Sequence, residues 1–278
     1  MRVVETIAEL RKEREAQTGS FGLVPTMGYL HAGHLSLVQR ARAENEIVGA
    51  SIFVNPAQFG LDEDLSSYPR DLSRDLELLE AEGADLVWTP PMEEVYPSDF
   101  QTYVTVENVT QPLEGAHRPG HFRGVTSVVA KLFNVFAPAR AYFGQKDAQQ
   151  VRVIQQMVED LNFPLEVVVC PIVREADGLA MSSRNAYLTP VEREAAVVLF
   201  RALSAAKTAF ENGAGSGDEL RQIMSDCLAA ETLVKPEYVS AAAPDTLEEL
   251  ETIQSGVLLS MAVRIGKTRL IDNMLLNA

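Results

Sequence analysis

The sequence predicts an α/β protein: a parallel sheet covered by helices over residues 1–175, then a smaller α+β domain over 176–278. Three observations carry this. Strand-length apolar runs and helix-length amphipathic runs alternate through the first 170 residues, the pattern of strands joined by helical crossovers. One run, Ile47 to Val54, has Ser51 as its only polar member, which suits a strand buried on both faces. After Arg174 the alternation stops, and the chain closes with two apolar runs flanking Gly266-Lys267, a hairpin pattern.

In chain order, Val4 to Gln17 reads as an amphipathic helix with Ile7 and Leu10 on one face. Phe21 to Pro25 is a short apolar strand stopped by proline. Gly33 to Asn45 is helical, with Leu35, Val38 and Ala41 at three-residue steps. Arg70 to Gly83 is a helix ending at glycine, and Asp85 to Thr89 a short strand. Val125 to Phe136 is a mostly apolar helix. Ala141 to Phe143 is a strand, Asp147 to Leu161 a helix and Leu165 to Cys170 a strand. Glu175 to Asn185 is polar and aperiodic, a linker or functional loop. Pro190 opens one long helix to Asn212, and a glycine-rich stretch, Gly213 to Gly217, separates it from a helix over Asp218 to Glu231. Glu237 to Ala242, Val257 to Ile265 and Thr268 to Leu275 supply the last strands.

Composition narrows the function classes. Twenty-four basic and 39 acidic side chains give a formal charge of −15, which argues against sequence-independent nucleic-acid binding. A small anionic substrate stays open, since local positive groups can line one cleft of an acidic protein. No apolar run is long enough to span a membrane, and the charged segment Met1 to Gln17 lacks the apolar core of a secretory signal. Cys170 and Cys227 cannot make a disulfide framework or a four-cysteine zinc site; they read as two reduced thiols of a cytosolic protein.

The chemistry-bearing segments follow strands. The four histidines fall in two clusters. The first, Met27-Gly28-Tyr29-Leu30-His31-Ala32-Gly33-His34, follows a strand and opens a helix, where backbone N–H groups and the helix dipole favour phosphate. Its plain alternative is a glycine-containing turn with two surface histidines. The second, Glu114 to Gly124, reads as an ordered loop, with Arg118 and Arg123 able to hold anions. Gly144-Gln145-Lys146-Asp147 is again a strand end entering a helix; Lys146 suits a phosphate oxygen, and Asp147 a ribose hydroxyl or a plain N-cap. Met181-Ser182-Ser183-Arg184 combines two hydroxyls with a guanidinium, a phosphate cradle or a solvated loop. Asn55 and Gln58, beside Phe53 and Phe59, offer neutral donors and acceptors for a small hydroxylated substrate.

His31-Ala32-Gly33-His34 resembles the HIGH-type signature of the nucleotidyltransferase superfamily. Together with Phe53-Val54-Asn55-Pro56, Tyr68-Pro69-Arg70, Arg118 to Phe122, Phe143 to Asp147, Asp177 to Asn185 and Ala262 to Asn273, in this order, it resembles the pantothenate synthetase family over nearly the whole chain. The resemblance implies a Rossmann-like first domain, a smaller C-terminal domain that lids the site, a homodimer and a cytoplasmic setting. It implies ATP-dependent ligation of pantoate to β-alanine through pantoyl adenylate, with AMP and pyrophosphate released. By the same resemblance Met27 to His34 bind ATP, His34 being the proton donor and His31 its partner on the phosphates. Gly144, Gln145, Lys146, Asp147 and Val173 bind adenosine, with Lys146 reaching the phosphates. Met181, Ser182, Ser183 and Arg184 take the triphosphate side, Gln58 and Gln150 hold pantoate, and Tyr68 and Asn55 stand on the substrate side. The family often has an acidic pair after Tyr-Pro-Arg near the Mg2+ that accompanies ATP. Here the pair is Arg74-Asp75, so Asp75 alone matches as the metal-side contact. Another nucleotidyltransferase, a tRNA synthetase fragment or a non-catalytic ATP-binding protein would share the histidine turn. The first would not share the Asn55-to-Phe59 and Gln150 constellation, the charge of −15 and the lack of an anticodon-binding module speak against the second, and the last would need a broken phosphate element.

Overall fold

The computed structural model describes residues 1–60 and 63–277. Along the chain run β1 (Arg2–Val4), α1 (Ile7–Glu15), β2 (Phe21–Thr26), α2 (Ala32–Glu44), β3 (Ile47–Ile52), α3 (Leu72–Ala81), β4 (Leu86–Trp88), α4 (Met92–Val95), α5 (Glu114–His117) and α6 (His121–Phe136). Then follow β5 (Arg140–Gly144), α7 (Ala148–Asp160), β6 (Glu166–Cys170), α8 (Pro190–Ala196), α9 (Val198–Glu211), α10 (Gly217–Ala229), β7 (Val234–Ala242), β8 (Val257–Ile265) and β9 (Thr268–Leu276). The chain forms two compact units. One comprises Met1–Glu107, Arg118–Gln145 and Gln150–Pro171; the other Asn108–His117, Lys146–Gln149 and Ile172–Ala278.

Several boundaries differ from the expected ones by a few residues, among them β7, which starts at Val234 rather than Glu237, and three have a local cause. Val4 ends β1, and the first helix starts at Ile7, because the Thr6 hydroxyl caps the Glu9 amide while the Glu9 carboxylate accepts from the Thr6 amide. α6 starts four residues before Val125, where Gly120, at φ 84°, turns the chain into it. The expected long helix from Pro190 is α8 and α9, stepped at Val197, whose amide bonds to the Glu194 carbonyl three residues back. Two adjacent β-branched residues, Val197 and Val198, sit at the step.

The first unit is built on a six-stranded sheet in the order β1-β4-β3-β2-β5-β6, every pair parallel. The chain leaves β2 toward β3 and β4 on one side, then returns to β5 and β6 on the other. That reversal creates a crevice outside the carboxyl ends of β2 and β5, where ligands bind in sheets of this kind. Helices cover both faces. Val24, Val48, Ala50 and Val87 pack against Leu37, Val38 and Ala41 of α2 and Leu79 of α3. On the opposite face Phe21 meets Phe136 of α6 at a ring separation of 5.9 Å, and the Arg14 guanidinium of α1 lies 3.9 Å over the Phe21 ring. No helix of the described residues is long and apolar enough to cross a membrane. Cys170 and Cys227 are free.

The second unit holds the antiparallel sheet β7-β8-β9, with β8 and β9 paired as the expected hairpin. Alternate residues of β8, from Val257 through Ile265, pack on Leu199, Ala202, Leu203 and Ala206 of α9 and on Leu220, Met224 and Leu228 of α10. The other face carries a polar row, with Ser240, Ser260 and Asn273 side by side across the three strands. That face meets the two short inserted segments. Glu114 of α5 makes a two-pronged ion pair with Arg269 (2.7 and 2.8 Å) and accepts from the Tyr238 hydroxyl (2.9 Å).

Candidate active site

The turn after β2 is built from both ends. Thr26 Oγ1 donates to the Ser51 carbonyl of β3 (2.7 Å) and accepts from the Gly28 amide (3.2 Å). Gly28 and Tyr29 both have positive φ, 81° and 50°. Glycine carries this freely, whereas tyrosine stores strain there. A Cβ on Gly28 would come within 2.9 Å of Asp75 Oδ2, so only hydrogen fits.

His31 and His34 face each other across the first turn of α2, their ring centroids 4.1 Å apart. His31 is the N-cap: its Nδ1 accepts from the Gly33 amide (3.1 Å), while His34 Nδ1 accepts from the His31 amide (3.3 Å). This is a capping box made of imidazoles. A neutral ring whose Nδ1 accepts carries its proton on Nε2, so each ring keeps an Nε2–H donor.

Asp75 of α3 grips the same turn. It is 1% exposed, and its two oxygens accept from the amides of Tyr29 and Leu30, each at 2.7 Å. Burial pushes its carboxyl above the ordinary aspartate range, against the two amides, which favour the charged form. The neighbouring Arg74, the departure from the acidic pair, donates to the Leu30 carbonyl (2.9 Å). Expected as a metal-side contact, Asp75 thus has both oxygens on backbone amides. Among the described residues no group of three or more His, Cys, Asp or Glu could hold a metal ion.

Beyond β3 a 3-10 turn, Pro56–Gln58, carries the expected substrate-side pair. Gln58 Nε2 lies 3.1 Å from Met27 Sδ, and Gln58 Oε1 accepts from Asn55 Nδ2 at 3.0 Å. Asn55, 1% exposed, also donates to the Gly124 carbonyl (3.1 Å) and accepts from the Tyr96 hydroxyl (2.8 Å). Burial pushes the Tyr96 phenol up to about 12, so it stays a donor. The Gln58 carbonyl meets His121 Nδ1 at 2.8 Å. Met27, Asn55 and Gln58 are therefore linked in one chain of contacts, with Tyr96 holding Asn55 and His121 meeting the Gln58 carbonyl. Tyr68 is buried, with its ring edge-on to Phe59 (5.8 Å). Arg118, expected to hold an anion, is matched inside the unit by both oxygens of Glu63 at 2.7 Å, and the Arg123 guanidinium lies 3.5 Å over the Tyr103 ring.

Gly144 ends β5 at the carboxyl edge of the sheet, Gln145 opens the 3-10 turn that follows, and a Cβ on Gly144 would meet nothing within 4 Å. Gln150 lies half-buried in the first turn of α7.

In the second unit, Lys146 Nζ lies 3.4 Å from Asp147 Oδ1, and the Lys146 carbonyl accepts from Asn273 Nδ2 at 2.8 Å. Arg174 and Ala180 pair as an antiparallel bridge, and the Met181 amide donates to the Val173 carbonyl (3.0 Å). This joins Val173 to the Met181–Arg184 segment. Ser182 Oγ accepts from the Arg184 amide (3.3 Å) and starts a 3-10 turn over Ser183–Tyr187. The loop itself is held by Arg193, which bonds both Glu175 (2.6 Å) and Asp177 (2.8 Å).

A family model described as pantoate-beta-alanine ligase matches residues 2–275. A protein named pantothenate synthetase from Herpetosiphon aurantiacus is 62% identical over 99% of this chain and 100% of its own length. The crystal structure of pantothenate synthetase from Thermus thermophilus superposes with a TM-score of 0.95 at 51% identity, covering 99% of each chain. That of the Francisella tularensis pantoate-beta-alanine ligase, complexed with beta-gamma ATP and beta-alanine, gives 0.83 at 33% identity, covering 99% of this chain and 97% of its own. Matched over residues 2–275 and in fold throughout, the chain belongs to the pantoate–β-alanine ligase family of enzymes.

Proposed function

We propose that this enzyme joins pantoate to β-alanine in two steps, using ATP to activate the pantoate carboxylate as pantoyl adenylate. The observation that carries the reading is the histidine turn. Two imidazoles, each with Nδ1 held by a backbone amide, keep Nε2–H donors at a helix N-terminus beside the switch point of a parallel sheet.

In the first step a pantoate carboxylate oxygen attacks the α-phosphorus of ATP and pyrophosphate leaves. Negative charge grows on the α-phosphate and on the leaving group. His34 and His31 donate to that charge through Nε2, and Lys146, Ser182, Ser183 and Arg184 take the remainder. Met27 to Gly33 offer main-chain approach to the nucleotide. Gly144, Gln145, Asp147 and Val173 receive adenosine, with the open space at Gly144 leaving room beside the chain. Gln58, oriented by Asn55 and Tyr96, binds pantoate together with Gln150. In the second step the β-alanine amine attacks the acyl carbon, AMP departs and the amine proton is released as the amide forms. No side chain bonds covalently to substrate; positioning and electrostatics supply the acceleration.

Magnesium would enter the site with the triphosphate of ATP. Bound there, magnesium would neutralise developing charge on pyrophosphate. The family resemblance extends this reading to a cytoplasmic homodimer.

The test is isotope exchange between pyrophosphate and ATP, with magnesium and pantoate present and β-alanine absent. Exchange that requires pantoate is the expected result. Folded enzyme that makes pantothenate from all three substrates yet never exchanges, at any pantoate concentration, would refute a free-standing adenylation step.

A further inference from the structure

Asp272 and Asn273 are neighbours on β9, so their side chains leave opposite faces of the sheet. Both are buried, at 1% and 3% exposure. On the helix-covered face, Asp272 takes both arms of Arg174, at 2.6 and 2.9 Å. The same guanidinium donates to the Gly178 carbonyl (3.0 Å) and lies 4.6 Å over the Phe200 ring. Through the Arg174–Ala180 bridge it is the root of the loop that leads into Met181–Arg184. On the polar face, Asn273 Nδ2 holds the Lys146 carbonyl at 2.8 Å. The two anchors are tied to each other: the Asn273 amide donates to Asp272 Oδ1 (2.8 Å), and Arg174 reaches the Asn273 carbonyl (3.3 Å). Packing alone would be met more cheaply by apolar residues, because a buried ion pair must repay its dehydration.

We propose that Asp272 and Asn273 are positioning residues for ATP, a single anchor that sets Lys146 and the Met181–Arg184 segment in fixed register. The inference rests on the reading of Lys146 and Arg184 as phosphate ligands. Without the anchor each cation still exists, but the two segments lose their common reference, and ATP binding must supply the ordering.

The test is a pair of double-mutant cycles read by ATP titration calorimetry, urea unfolding and pantoate-dependent exchange. One cycle combines Asn273→Ala with Lys146→Ala, the other Asp272→Asn with Arg184→Ala. Asn273→Ala and Asp272→Asn are each expected to weaken ATP binding about five- to tenfold, as for loss of one buried hydrogen bond. On the Lys146→Ala or Arg184→Ala background the same changes should cost less than about twofold, because the anchored group is already gone. The KM for pantoate in wild-type and variant exchange should agree. If Asn273→Ala fails to fold, Asn273→Ser carries the same comparison. Losses that multiply fully in either cycle, or that track the unfolding midpoint while the pantoate KM shifts equally, would overturn the shared anchor. Wild-type enzyme that binds ATP and makes pantothenate without pantoate-dependent exchange would remove the proposed adenylation step and leave the cycles to decide the anchor. Wild type that does not bind ATP overturns both.

Discussion

Replacing Asp75 isolates how the histidine turn is held. In Asp75→Ala the amides of Tyr29 and Leu30 each lose a carboxylate acceptor at 2.7 Å, and Leu30 is 1% exposed, so water replaces that partner poorly. A hydrogen bond to a charged group contributes about 1.5–3 kcal/mol. The carboxylate's own burial takes part of this back, since its carboxyl is pushed up despite both amides. The expected net loss is about 2–3 kcal/mol for alanine. Asparagine keeps one carbonyl acceptor, turns an NH2 toward the second amide and has no charge to dehydrate; its loss should be about 1 kcal/mol. Function should suffer more than stability. Tyr29 is held at φ 50°, a conformation that costs about 1–2 kcal/mol, and without Asp75 it can relax and carry His31 out of its cap. Urea unfolding at neutral pH, with the slope checked for constancy, measures the first effect, and pantoate-dependent exchange the second. Asp75→Ala with the wild-type unfolding midpoint and wild-type exchange would refute the claim that this carboxylate holds the turn.

Three further outcomes follow from the same geometry. His34→Ala and Lys146→Ala should each lower pantoate-dependent exchange by ~tenfold or more while the fold survives, and normal turnover in either folded variant would remove that residue from the mechanism. Gly124→Ala would drive a Cβ into the Ala57 carbonyl and the Gln58 amide; a loss of about 1–3 kcal/mol and a raised KM for pantoate are expected, both absent if the 56–58 turn yields freely. Burial pushes the Glu63 carboxyl up, but the Arg118 guanidinium outweighs it and holds the group below its usual 4.5. Its contribution is therefore complete above that value and lost as the pH falls through the lowered one. Urea midpoints from neutral pH down to the acid limb should fall less steeply for Glu63→Gln than for wild type. Equal slopes would show that the pair adds nothing.

How much was legible in the sequence depended on how local the cause was. The strands and most helices follow from runs of side chains alternating at fixed periods, and the hairpin around Gly266-Lys267 from a turn between two such runs. The late start of the first helix was readable too: Thr6 and Glu9 carry the spacing of a capping box, which outweighs the apolar periodicity reaching back to Val4. The step at Val197 was not, because the apolar pattern continues unbroken from one helix into the next. The histidine turn, the Asn55–Gln58 pair and the Met181–Arg184 segment could be located because each follows a strand or loop signal within ten residues.

Their partners could not be read that way. Asp75 lies 45 residues from the Leu30 amide it holds, Asn273 lies 127 residues from the Lys146 carbonyl, and Asp272 lies 98 from Arg174. No periodicity encodes such separations; they exist only after β-strands far apart in the chain have paired. The same holds for Arg118, whose charge looked available in sequence and is taken by Glu63. Residue types and turns are set locally along the chain, because sterics and hydrophobic period act within a few residues. Tertiary structure alone decided which charges stay available and which are spent on holding a loop, because burial and electrostatics act through space.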